Sequence, residues 1–284
     1  MLAYAFLLPA FIFFVIFLLY PVIRVGWDSL HGGSILSPGE FVGLENWANA
    51  FSDPVAQKAL VNTGKYAVIA IPGMLTIGMI LALFLLNIRR GAQVLRAAVY
   101  FPTLAPVVIA AIVWLFLIHP EVGILNQTLQ ALGREPIAWL GNPSTALPTI
   151  AAVEIWRASG FWAVFFLASL LGLPEEIIQA AHLDGANAFQ RFAIVVLPLL
   201  RPVILFAVVM ATIWNLQIFD SVFVLTDGAP GNATATVVWY IYKSLFVFDK
   251  LGFGATLSFV LLTVILALSL IQVRLLTDTR TSKT

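Results

Sequence analysis

Apolar positions run along this chain in long unbroken blocks, and a membrane-spanning helix needs about 20 mostly apolar residues. Six blocks meet that length, at about 2–23, 66–88, 97–118, 147–171, 199–225 and 253–273. None alternates with period two, which removes barrel strands. The pattern predicts an all-α integral membrane protein with six transmembrane helices, forming one membrane domain over residues 1–284. The first block is longer than the ~7–15-residue apolar region of a signal peptide, and no small-x-small cleavage site follows it. It reads as an uncleaved span, although the basic residues that commonly precede one are missing.

Composition supports that pattern. Hydrophobic residues make up 61% and charged residues 10%, against about 25% charged in a soluble domain. Mean hydropathy is +0.99. A net charge of +1 gives no basis for nucleic-acid binding. Without cysteine there are no disulfides or thiolate metal sites, and the three histidines, at 31, 119 and 182, are scattered.

Six spans put both termini on one side, and Lys/Arg bias in short loops indicates which. Arg89, Arg90, Arg96, Arg191, Arg201, Arg274, Arg280 and Lys283 share that side, in short loops and a tail. Arg24, Lys58, Lys65, Arg134, Lys243 and Lys250 lie opposite, several in longer loops, together with most acidic residues. Both termini are therefore expected in the cytoplasm. The external loops 31–62 and 119–146 are rich in Gly, Pro, Asn and Trp. Trp47 and Trp139 there are either interfacial belt residues or contacts for an external partner.

The connection at 172–198, GLPEEIIQAAHLDGANAFQRFAIVVLP, is too long for a simple turn between antiparallel helices, which takes roughly 2–8 residues. Pro174 followed by Glu175 and Glu176 is a helix start, with proline at the first helical position and acids at the positive end of the dipole. Ile177, Ile178 and Ala181 make an apolar face. Gly185 permits a sharp turn, and a second helical run follows from Ala186 to about Val196. This predicts a helix-turn-helix foot on the cytoplasmic membrane surface, with Ala180 and Ala181 small enough for a partner to approach. A helix lying in the headgroups would prefer a basic polar face rather than two glutamates.

These residues carry a resemblance to a known family. Ala180, Ala181, Gly185, Leu197 and Pro198 match the E-A-A…G…I-x-L-P pattern of binding-protein-dependent ABC importer permeases at the family's spacing. Asp184, Gly185, Ala186, Phe192, Leu199, Leu200 and Pro202 extend the match to a form similar to the carbohydrate-uptake class. GLENWANAF and LTDGAPGNAT resemble loops of the maltose- and glycerol-phosphate-type permease subunit, so the resemblance covers essentially the whole chain. Gln179 stands where the family has glutamate, and Val195 where it has isoleucine. The resemblance implies a non-catalytic permease subunit in the bacterial plasma membrane. It implies as partners a second homologous permease, two ATP-binding subunits that hold ATP and Mg²⁺, and a lipid-anchored or periplasmic solute-binding protein. Residues Glu175, Glu176, Gln179, Ala180, Ala181, Asp184, Gly185 and Ala186 would then couple to the ATPase. No G-x-x-x-x-G-K-[ST] phosphate loop occurs in the chain itself.

Polar groups inside spans are functional candidates. Glu154 and Arg157 are three apart, positioned to pair, as a structural ion pair near the outer end of the span or as part of a pathway. Trp214, Gln217 and Ile218 are expected on one helical face, with Gln217 and Asp220 neighbours at i, i+3. An aromatic platform beside amides and carboxylates suits a sugar. By the resemblance, solute-contacting positions fall near Phe161, Trp214, Asn215 and Ile218. Hydrogen bonding between helices is the alternative use of these groups. The expected activity is alternating-access import of a sugar-like solute, with glycerol 3-phosphate or a glycerophosphodiester as the alternative cargo. A secondary transporter would leave the 172–198 foot unexplained.

Overall fold

A computed structural model describes residues 2–88 and 90–277. Arg89, Arg280 and Lys283, used above for orientation, lie outside the described residues. Helix α1 covers 2–28, with one wider turn at Val15–Leu19. A short hairpin of β1 (His31–Gly33) and antiparallel β2 (Pro38–Phe41) follows, then α2 (Glu45–Ser52). Helix α3 is Pro54–Leu86, α4 is Ala92–Leu104, α5 is Val107–Leu117 and α6 is Ile124–Ala131. Helix α7 is Pro143–Leu171, α8 is Glu175–Leu183, α9 is Ala188–Leu199 and α10 is Arg201–Leu216. Helices α11 (Asp220–Leu225), α12 (Val237–Val247) and α13 (Leu251–Thr277) complete the chain. Among the described residues four helices are long and apolar enough to cross a bilayer, and six spans result if each of two bent pairs counts as one.

One of those bends and a separate break correct two of the expected spans. The block at 97–118 is not one straight helix: α4 and α5 meet at 95°. Pro106 has no N–H to continue the ladder, and it pushes Ala105 into extended backbone, at φ −68° and ψ 132°. The block at 199–225 is broken as well. Helix α10 ends at Leu216, Phe219 departs from helical geometry at φ −136°, and α11 starts afresh at Asp220. Trp214, Gln217 and Ile218 therefore do not share a continuous helical face, and Gln217 and Asp220 are not neighbours on one helix. Helix α3 begins well before residue 66, because the Asp53 carboxylate accepts from Ala56 N–H at 2.7 Å and Pro54 takes the first position.

Helix α3 packs along α7 through a stripe of small side chains. Ala56, Ala59, Ala67, Ala70, Gly78 and Ala82 are buried. A Cβ on Gly78 would lie 2.6 Å from the Trp162 Cβ, and one on Gly160 would collide with the Val99 carbonyl of α4. In lipid there is no hydrophobic drive between helices, so close backbone approach and dispersion hold such a pair together. Within Phe6–Asp28, helix α1 buries none of its apolar stretch, and near its end Gly26 lies against Phe259 of α13.

Candidate functional site

Where the fifth span breaks, α3, α7 and α10 enclose a cavity of about 320 Å³. Phe161, Trp214, Asn215, Gln217, Ile218 and Asp220 all line it, as do Glu154 and Arg157. The structure thus brings every proposed pathway residue to one place, although three of them reach it through the break. Trp214 is 49% exposed and stands 5.6 Å from the Phe161 ring and 5.9 Å from that of Trp162. Aromatic clustering of this kind holds a ring in one orientation and presents its face.

Asn215 is used differently. Its Oδ1 accepts from Tyr66 Oη at 3.2 Å, and its Nδ2 donates to the Ala211 carbonyl at 2.8 Å. Both ends of the amide are satisfied within the protein, so it ties α10 to α3. Gln217 donates to the Ile213 carbonyl at 2.8 Å and stays exposed, and the Ile218 carbonyl accepts from Thr236 at 3.1 Å.

Glu154 and Arg157 do pair, and within the cavity wall. Arg157 Nε and Nη2 donate to Glu154 Oε2 at 3.1 and 2.9 Å. Ser221, the second residue of α11, donates its hydroxyl to the other Glu154 oxygen. The pair therefore also fastens the detached α11 to α7. Tyr66, Trp162 and Ser221 are cavity residues that sequence reasoning missed. Ser221 and Tyr66 are ordinary residues in an apolar chain, and nothing local marks them.

A clamp closes the loop beyond α11. Lys58 donates to the Gly231 carbonyl at 2.7 Å, and Asn62 to the carbonyls of Asn232 and Ala235, each at 3.0 Å. Asp227, at φ +47°, accepts from Trp239 Nε1 at 2.8 Å and Lys243 Nζ at 2.9 Å. Burial raises the Asp227 carboxyl pKa, but the Trp239 and Lys243 hydrogen bonds and the Lys243 charge outweigh it and hold it below the usual range.

The connection at 172–198 is a helical hairpin. Pro174 caps α8 rather than entering it, and Glu175 and Glu176 occupy the first turn. At its end Ala186 N–H bonds back to the Ala181 carbonyl and Gly185 N–H to that of His182, both at 3.1 Å, with Gly185 at φ +82°. This double closure requires a left-handed residue, which glycine adopts without strain. Asn187 and Gln190 exchange reciprocal bonds at 2.9 Å to start α9. Arg191 then pins the two arms, donating to the Ala186 carbonyl at 2.8 Å and lying 3.0 Å from His182 Nδ1. Glu175, Glu176, Gln179, Ala180, Asp184 and Gly185 are exposed on this foot, with Ala181 and Ala186 half-buried. Two large apolar side chains stand exposed on the foot: Leu183, at 87%, which the sequence pattern did not single out, and Phe189, at 78%, which belongs to the apolar side expected of the second helical run.

A family model described as binding-protein-dependent transport system inner membrane component matches residues 74–282. The chain is 34% identical over 97% of its length to the sulfoquinovosyl glycerol transport system permease protein of Agrobacterium fabrum, covering 90% of that protein. It is 35% identical over 94% of its length to the lactose transport system permease protein of Rhizobium radiobacter, covering 91% of it. A chain from the crystal structure of a bacterial alginate ABC transporter in complex with an alginate pentasaccharide-bound periplasmic protein superposes with a TM-score of 0.86. That superposition covers 100% of this chain and 96% of the other at 22% identity, a likeness of fold.

Proposed function

The chain belongs to the binding-protein-dependent transport system inner membrane components, and from that premise we propose that it is one permease half of an ATP-driven importer for an oligosaccharide or related glycoside. The observation that carries the proposal is that one helix joins the foot to the cavity. Helix α10 leaves the foot through a 70° bend and brings Trp214 and Asn215, in its last turn, into the cavity wall. At 1.5 Å per residue, this helix is a strut about 24 Å long. A displacement of the foot therefore reaches the wall that Trp214 lines.

The proposed partners are a second, homologous permease, two ATP-binding subunits holding ATP and Mg²⁺, and an extracytoplasmic solute-binding protein. The foot faces the cytoplasm, as do both termini. Glu175, Glu176, Gln179, Ala180, Ala181, Asp184, Gly185 and Ala186 meet the ATPase, with Leu183 and Phe189 seated in its groove. Trp214, backed by Phe161, stacks on the apolar face of a sugar ring, while Gln217, the Ile218 segment and Asp220 offer polar contacts. Asn215 shapes the wall through its tie to Tyr66. The name of the lactose permease supports a glycoside cargo.

The test is uptake of labelled oligosaccharides by vesicles holding the complete transporter, with Trp214→Ala compared at equal assembly. ATP-dependent uptake that falls sharply in the variant supports the proposal. Unchanged uptake at limiting solute removes Trp214 from the path, and no uptake of any glycan by the wild type defeats the cargo assignment.

A further inference from the structure

The charges around the cavity bear on which glycans it accepts, an inference that rests on the importer function proposed above. Three charged side chains line it: Glu154, Arg157 and Asp220. Arg157 is already committed. The Nε–Nη2 edge that would grip an acid side-on is occupied by Glu154, whose second oxygen is held by Ser221. The Glu154 side chain is only 7% exposed, so this neutralisation is built into the wall. Asp220 is exposed at the first position of α11, and no salt bridge involves it among the described residues. The lining thus has two carboxylates against one guanidinium, and Asp220 is the carboxylate without an ion-pair partner among the described residues. Five aromatic residues, Tyr66, Phe161, Trp162, Trp214 and Phe219, also line the cavity.

We propose that this cavity admits uncharged glycans and rejects acidic ones, such as uronates, sulfonates and phosphate esters, and that Asp220 sets the discrimination. A cavity built for an acid would hold a cation free to meet it, whereas the cation here is spent on Glu154. An anionic group brought within ~8 Å of the Asp220 carboxylate, at an effective dielectric near 20, binds at least about tenfold more weakly than its neutral counterpart. The alternative cargo of glycerol 3-phosphate or a glycerophosphodiester falls on the rejected side.

Binding is to be measured on the complete permease–ATPase complex in nanodiscs, without the binding protein, so that cargo selection by the latter does not enter. The probes are lactose, maltotriose and their uronic-acid derivatives, read by saturation-transfer NMR. The expected result is a neutral-to-acidic preference of at least about tenfold, which narrows in Asp220→Asn and persists in Asp220→Glu. Equal binding of both classes by the wild type overturns the proposal, and so does a preference unchanged in Asp220→Asn. Either outcome leaves the importer function standing, whereas failure of every glycan to bind and to be taken up counts against that function itself.

Discussion

Replacing Glu154 with alanine removes a charge that three hydrogen bonds converge on. Two come from Arg157 and one from Ser221. The side chains of Arg157 and Glu154 are 20% and 7% exposed, so the stranded guanidinium gains little water. Breaking a buried pair by deleting one partner costs about 3–5 kcal/mol, while polar contacts in membrane proteins often yield less than expected, near 0.6 kcal/mol each. Taking the lower end because Arg157 borders the cavity, the variant should lose about 3 kcal/mol. For a chain of this size that is roughly a 5–10 °C fall in the unfolding midpoint. The double variant Glu154→Ala/Arg157→Ala removes both charges and should recover about half of the loss, leaving the Ser221 contact and some packing missing. The assay is thermal unfolding of the assembled transporter in nanodiscs, followed by a fluorescent size-exclusion readout. A Glu154→Ala midpoint within 1–2 °C of wild type, or a double variant less stable than the single one, refutes the view that these charges are mutually dependent.

Four further outcomes are expected. Gly185→Val places a β-branched residue at φ +82°, costing about 1–2 kcal/mol locally; ATP hydrolysis should no longer respond to solute, whereas Gly185→Asn should retain most coupling. Gly78→Leu drives a side chain into Trp162, so yield of assembled complex on gel filtration should drop several-fold while Thr76→Leu does not. Leu183→Glu with Phe189→Glu should abolish co-purification of the ATPase subunit and leave membrane insertion intact. Asp227 has a folded pKa below its unfolded value, so the stability it contributes is present above the unfolded carboxyl pKa of about 3.9 and fades as pH falls through the lower folded value. Hydrogen exchange over 225–247 should therefore quicken below about pH 4 in the wild type, and Asp227→Asn should flatten that dependence.

The foot was legible because its stop and start signals are local. Gly185 and the acid pair at 175–176 each act within a few residues, and the helical hairpin forms where the pattern placed it, its second arm started by an Asn187/Gln190 exchange that the sequence reading did not use. Pro106 was equally local, yet a run of apolar residues on either side hid its consequence, since continuous hydropathy does not distinguish a straight helix from two meeting at 95°. The early start of α3 was obscured by Lys58, Asn62 and Lys65, polar side chains that interrupt the apolar run but bind the loop after α11 or stand exposed.

Residence in lipid and the number of candidate spans follow from chain chemistry alone, because the cost of placing charge in a bilayer is summed residue by residue along one dimension. The roles of individual polar groups do not. Asn215 looks the same in sequence whether it faces a sugar or a helix; its partner Tyr66 stands 149 residues away. Glu154 likewise meets Ser221 across 67 residues. A buried polar atom must find a partner, and only the packing of α3, α7, α10 and α11 decides which one lies within reach.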